Sequence, residues 1–235
     1  MGARDTAANV NYPRLLSLAV HEFRTPASVV GGYLKMLQRD DGAPLSERQR
    51  RMIDEADKSC GRLVALIAEL SEISKVDDGQ AVLSRRPLDV FTLAADVAGT
   101  VTEAADRDVR FEVRGAADGA PISGDAARLR SAFDAIFRAV LREKSGPCTV
   151  VAERRRDVRD GKRSAVIIVA EAESLAAARE RGSGPFDDYR GGLGLALQLA
   201  RRTIEAHGGT LASPAAADDN DPLTRGSAII ALPLE

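Results

Sequence analysis

The stretch Leu18–Leu37, LAVHEFRTPASVVGGYLKML, sets a histidine, an acid, an arginine and a proline inside a run with the apolar spacing of a helix. Leu16, Val20, Phe23, Val30, Leu34 and Leu37 recur at intervals of three, four or seven, which lines them along one stripe of a helix from Pro13 to about Leu37. Pro26 is at odds with that pattern. Its ring removes the amide that would have bonded the carbonyl of Glu22, a loss of about 3 kcal/mol in a helix interior. A bend kept so close to His21 opens the backbone where a partner could reach it.

The chain on either side completes a hairpin. The segment RDDGAPL, Arg39–Leu45, reads as a turn because it carries Gly42 and Pro44. Ser46 with Gln49 three residues on is a capping box, opening a second helix to about Lys75. Ile53, Ala56, Leu63, Leu66, Ile67, Leu70 and Ile73 lie along one side of it. Two long helices joined by so short a turn lie antiparallel. Alone they leave much of their apolar stripe in water, and pairing with a second copy into a four-helix bundle buries it. A homodimer is expected, with residues 1–12 a loose leader and the hairpin over residues 13–79.

The segment VDDGQ, Val76–Gln80, breaks the helical period, and from about Pro87 the pattern is mixed. PLDVFTLAADVAGTVTEAA reads as a helix, VRFEV at Val109–Val113 as a strand, and GDAARLRSAFDAIFRAVLR as a helix with Asp125 as N-cap. CTVVAE and SAVIIVA form a β-hairpin turned at Asp160-Gly161. The basic run RRRDVRDGKR is then the solvated end of that hairpin rather than a nucleic-acid contact. LGLALQLARRTIEA is a helix burying Leu193, Leu197, Ala200 and Ile204, with Gly208 just past its end. GTLAS and SAIIALPL close the chain as strands, and ASPAAADDNDP is a short polar loop. The fold class is α+β: a helical hairpin forming a dimeric four-helix bundle, then a two-layer α/β sandwich over residues 80–235.

Composition excludes several classes. At 44% apolar and 29% charged residues, with a net charge of -2, the chain reads as a soluble globular protein with no nucleic-acid or membrane surface. The longest apolar run, AVIIVA at Ala165–Ala170, is far short of the ~20 residues a bilayer requires. The first residues lack an apolar stretch, so no signal peptide is read, and their Met-Gly-x-x-x-Thr pattern is short enough to arise by chance. Cys60 and Cys148 stand apart with no metal-type spacing; they read as inert thiols of a reducing cytoplasm, and no metal is expected on them.

Around His21 the residues fit one chemistry. Glu22 is adjacent, Arg24 lies three residues on, and Thr25 four, on the same face one turn later. An uncharged imidazole has a nitrogen lone pair able to attack phosphorus. A neighbouring carboxylate can hold the other ring N–H and support the cation that develops, and a hydroxyl one turn away can orient a water for hydrolysis. These are the parts of a site that stores a phosphoryl group reversibly.

HEFRTP, His21–Pro26, resembles the phosphoacceptor box of two-component sensor histidine kinases. The resemblance continues through RLVALIAELSEISKVDDG, GDAARL, GGLGLALQLARRTIEAHGG and GSAIIALPL in the family's order, spanning roughly Leu15 to Glu235. It implies a dimerisation and histidine-phosphotransfer hairpin followed by an ATP-binding sandwich of the GHKL type. By resemblance His21 is the phosphoacceptor, Glu22 the general base and Thr25 the residue that positions water in dephosphorylation. It also implies ATP and Mg2+ as cofactors and a response regulator receiver domain as partner.

The second half departs from the family's pattern. An asparagine that chelates Mg2+ belongs at Ala139, or at Arg138 with a one-residue slip. Alanine has no ligand atom and arginine repels the cation. Glu171 stands where the family has an adenine-reading aspartate, and Glu173 and Leu175 stand near its two glycines. The phosphate-cradling turn keeps Gly192, Leu193, Gly194 and Leu195, with Arg190 in its first glycine's place. Two lost charge-assisted contacts, at about 1.5–3 kcal/mol each, predict nucleotide binding weaker by roughly 10²- to 10⁴-fold. In the lid region, Glu173–Arg190, Phe186 is the residue expected to pack down. His207 is expected to be structural, its charge suited to a helix C-terminus. Three readings follow: a phosphotransfer protein that exchanges phosphate on His21 with a receiver, a histidine kinase fed by Mg-ATP, and a non-catalytic dimeric scaffold.

Overall fold

A computed structural model describes residues 12–39, 45–159, 161–189, 193–218 and 220–235. The chain divides into two compact units, Met1–Ala81 and Val82–Glu235. The leader expected over residues 1–12 lies outside the described residues except for Tyr12, and so does the centre of the Arg39–Leu45 turn.

The first unit is a pair of helices, α1 (Tyr12–Arg39) and α2 (Glu47–Asp77). The capping box forms as expected: the Gln49 amide donates to Ser46 Oγ at 3.3 Å, and the Ser46 amide to Gln49 Oε1 at 2.9 Å. The helices run in opposite directions, since Cys60 Sγ reaches the Ala27 carbonyl at 3.3 Å while Gln38, farther along α1, meets Asp54, earlier in α2, at 3.0 Å. Helix α1 continues through Pro26, with Glu22 and Pro26 both exposed. On that open side solvent can satisfy a carbonyl that the proline leaves without its amide, which lowers the cost of the proline. The apolar stripe is only partly covered. Val20 is 4% exposed, but Phe23 is 57%, Val30 52% and Leu37 46% exposed.

The second unit is built on a six-stranded sheet. In chain order its elements are β1 (Arg86–Asp89), α3 (Val90–Ala98), β2 (Val109–Gly115), β3 (Pro121–Gly124) and α4 (Ala126–Arg142). Then come β4 (Cys148–Arg159), β5 (Lys162–Glu171), α5 (Leu175–Glu180), β6 (Ser183–Pro185), α6 (Ala196–Ala206), β7 (Thr210–Pro214), α7 (Pro222–Arg225) and β8 (Ala228–Pro233). The sheet order is β2-β4-β5-β8-β7-β6, with β2 parallel to β4 and the other pairs antiparallel. Strands β1 and β3 form a separate two-stranded pair.

Helices α3, α4 and α6 supply Phe91, Phe133, Phe137, Leu197 and Ile204 to the core on one face, against Val150, Ile167, Val169 and Ile230. Phe137 meets Phe111 edge-on at 5.1 Å between ring centres and stacks with Phe133 at 5.9 Å. The AVIIVA run is apolar throughout because both faces of β5 are covered. Val166, Ile168 and Ala170 point away from the three helices and pack under Leu175 and Ala178 of α5. This cover adds to the expected two layers.

Several local readings are corrected. PLDVFTLAADVAGTVTEAA is not one helix: Pro87 pushes Arg86 into extended backbone and Asp89 caps a shorter α3. Helix α6 starts at Ala196 rather than at Leu193, and the polar loop begins as β7 and ends in α7. The basic run is not wholly solvated. Arg154 is 8% exposed and donates to the carbonyls of Phe91 at 3.1 Å and Ala117 at 3.3 Å.

Asp89 holds the β1–α3 junction together. One carboxylate oxygen accepts from the amides of Phe91 and Thr92, each at 3.0 Å, and the other from Gly119 at 2.7 Å and Ala120 at 2.8 Å. Burial pushes this carboxyl up, but the amides of Thr92, Ala120, Gly119 and Phe91 outweigh it and hold it below the ordinary aspartate value. Its contribution to stability is therefore complete above that value, about 3.9, and lost as pH falls through the lower folded one. Asp89→Asn turns an amide NH2 toward two backbone donors. Urea melts of the sheet unit at neutral pH should show it less stable by about 2 kcal/mol.

Candidate functional site

The phosphoacceptor candidates sit on open helix surface. His21 Nδ1 lies 3.7 Å from Glu22 Oε1, with the two side chains 81% and 71% exposed. That separation is beyond hydrogen-bond length. The other ring nitrogen, Nε2, is left for an incoming reactant. Arg24 and Thr25 follow on α1, both exposed, with Thr25 one turn beyond His21. The structure thus brings His21 and Glu22 together and leaves Thr25 close along the helix.

In the second unit the described nucleotide candidates fall on two elements, the end of β5 and the turn before α6. Glu171 ends β5 and pairs with Lys144 Nζ at 3.4 Å. Both line a cavity of about 690 Å3 together with Cys148, Ser174, Arg225 and Gly226. Leu193, Gly194 and Leu195 lie outside that lining, just ahead of α6, where Gly194 adopts a φ of 61°. Gly192 and Arg190 lie outside the described residues. Ala139 is 2% exposed in the core, and Arg138 is held by Asp134 at 2.8 Å and Glu103 at 3.2 Å. Among the described residues, no three His, Cys, Asp or Glu side chains gather as a metal site requires.

The segment after β5 carries structure that the sequence reading missed. It forms α5 and β6, and then returns to the core at Phe186, which is 3% exposed. Arg201 of α6 fixes this return by pairing with Asp188 at 2.5 Å and donating to the Phe186 carbonyl. No local signal pairs Lys144 with Glu171, or Arg201 with Asp188, because each partner is set by the tertiary fold. Cys60 is buried, and burial, with Glu171 nearby, pushes the Cys148 thiol up.

His207 is structural, as expected, but its basis is corrected. The ring is 6% exposed, its Nε2 accepts the Asp125 amide at 2.9 Å, and Nδ1 faces the Thr203 carbonyl at 2.7 Å. A ring nitrogen that accepts from an amide is unprotonated, so His207 is neutral and no charge complements the helix end. Burial pushes its protonation down, with Arg85 and Arg128 adding to the effect.

The chain thus joins a helical hairpin, bearing an exposed histidine beside an acid, to a unit built on a mixed six-stranded sheet. Residues 14–79 match the His Kinase A (phospho-acceptor) domain. The chain is 29% identical over 201 residues to the probable sensor histidine kinase TcrY of Mycobacterium tuberculosis, covering 82% of this chain and 41% of that one. It is also 29% identical over 218 residues to the sensor protein DivL of Caulobacter vibrioides, covering 89% and 26%. Among solved structures, full-length ShkA in complex with AMPPNP superimposes with a TM-score of 0.68 at 20% identity, over 94% of this chain and 46% of that one. The chain therefore spans less than half the length of these relatives. Its hairpin carries the His Kinase A (phospho-acceptor) domain, and the chain as a whole is similar to sensor histidine kinases.

The chain has two histidines, and they differ sharply in exposure. Treating the native protein with diethyl pyrocarbonate should add one carbethoxy group per chain, absent in His21→Ala, with a second appearing only on unfolding.

Proposed function

We propose that this chain is a phosphotransfer protein that holds a phosphoryl group on His21 and exchanges it with the aspartate of a response regulator receiver. The observation that carries this reading is His21, open to solvent with its Nδ1 turned to Glu22. The Nε2 lone pair attacks the phosphorus of an aspartyl phosphate, forming the N–P bond as the bond to the aspartate oxygen breaks and its carboxylate leaves. Glu22, closing from 3.7 Å, supports the positive charge that develops on the ring and accepts the Nδ1 proton. In the reverse direction a receiver aspartate attacks the phosphoryl group, and His21 leaves with its proton restored. Thr25, one turn on, orients the water that removes phosphate from the receiver.

The residues present do not fit Mg-ATP well. Ala139 offers no ligand atom, Arg138 is occupied by two carboxylates, and Glu171 is already paired with Lys144. The chain after β5 is used to cover the sheet's second face. The autokinase reading keeps one supporting observation, the sensor histidine kinases to which the chain is similar.

Exposed apolar side chains on the hairpin favour a homodimer. Leu18, Phe23, Val30, Tyr33 and Met36 on α1 and Leu63 on α2 are 52–67% exposed, a concentration that a second copy would bury in a four-helix bundle. Among the described residues no helix is long and apolar enough to cross a membrane. We place the protein in the cytoplasm, where receivers are found.

Incubation with a labelled phospho-receiver should put acid-labile label on the chain, abolished in His21→Ala and slowed by about 10²- to 10⁴-fold in Glu22→Gln. Labelled Mg-ATP alone should give little or none. Labelling from ATP at an ordinary rate would replace this reading with the autokinase, and labelling from neither source would leave the scaffold. Sedimentation of the full chain should give a dimer.

A further inference from the structure

The two units are joined by very little free chain. On the hairpin side, the amides of Gln80 and Ala81 both donate to the Lys75 carbonyl, at 2.9 and 3.0 Å. On the sheet side, the Ser84 amide donates to Asp125 Oδ2 at 3.0 Å, and the Arg85 guanidinium to the Ala206 carbonyl at 2.7 Å. Between these anchors lie Val82 and Leu83, the first 87% exposed.

Both sheet-side anchors rest on one buried element. Asp125 caps α4 through the Arg128 amide at 3.1 Å, and its own amide is bound by His207 Nε2 at 2.9 Å. His207 follows Ala206, the carbonyl acceptor for Arg85, and its Nδ1 is tied to Thr203 in the last turn of α6. The ring therefore joins the start of α4 to the end of α6, and the residues on either side of that joint hold Ser84 and Arg85.

We propose that the Asp125–His207 pair is an acid-releasable clasp that sets the length of the tether between the two units. A proton on Nε2 converts the acceptor of the Asp125 amide into a donor pointed at another donor. It also places a cation among the charged groups facing the ring, which are Arg85 on the tether and Asp125 and Arg128 on α4. Two of the three are themselves cationic. Asp125 turns from its amide contact, Ser84 and Arg85 come free, and the loose chain lengthens from Val82–Leu83 to Val82–Arg85. The clasp is closed above the ordinary histidine value of about 6.5 and opens as pH falls through the lower value that burial gives His207.

Hydrogen exchange on the full chain, corrected for intrinsic rates, reads the clasp whether or not His21 carries phosphate. Between about pH 7.5 and about pH 5, protection of the Leu83–Leu88 amides should fall about tenfold while Ala165–Ala170 in β5 stays protected. His207→Gln, which can accept from the Asp125 amide but cannot gain a proton, should abolish that step. A wild-type chain with no step, or a His207→Gln chain with an equal one, would overturn the proposal. Should His207→Gln fail to fold, Arg85→Ala decides at neutral pH: tether exchange should rise with β5 unchanged, and an unaltered tether would end the idea.

Discussion

Two antiparallel helices can shield only the strip along which they touch, and the hairpin's properties follow from that limit. The strip between α1 and α2 closes over Val20 and Cys60, while Phe23, Tyr33, Met36 and Leu63 stay open to water. His21 lies on that open surface, as the proposed exchange with a partner's phosphoryl group requires. His21 and the exposed apolar residues thus share one helix under opposite demands. Association through the apolar face satisfies both, since it covers Phe23 and its neighbours without requiring His21 to move inward. Pro26 fits the same logic, because a helix interior tolerates a missing amide where the orphaned carbonyl faces water.

In the sheet unit, charges that could meet a ligand are spent on the fold. Arg138 joins Glu103 and Asp134, Lys144 meets Glu171, and Arg201 secures Asp188 and the chain returning through Phe186. Each pairing lowers the cost of placing a charge near low-dielectric interior, and each removes a group from other use. Asp89 and Asp125 do similar work with backbone amides, closing the starts of α3 and α4 and pinning the turns before them. The result is a unit well braced by polar contacts.

How much of this was legible in the sequence depended on the range of the interactions. The hairpin was readable because spacing and a capping box are local: Ser46, Gln49 and the apolar stripe specify it without distant partners. Asp125 as N-cap and Gly208 past α6 were readable for the same reason, and Gly208 indeed adopts a φ of 75°. The β1–α3 boundary was missed because Pro87 and Asp89 act against an apolar run that also suits a helix. Helix α5 was missed because its burial depends on the far face of β5, and a run of alanines gives little period to read. His21 and Glu22 were visible as neighbours, whereas Lys144 beside Glu171 was not.

His207 carries the last step. From sequence it looked like a charge at a helix end, but burial and the Asp125 amide make it neutral, which reverses the sign of its pH dependence. A charged histidine at that terminus would gain from acid, whereas a neutral acceptor loses its bond there. The same ring ties Asp125 to the end of α6, and these hold Ser84 and Arg85, so in the clasp proposed above its protonation sets how much of the connecting chain is loose.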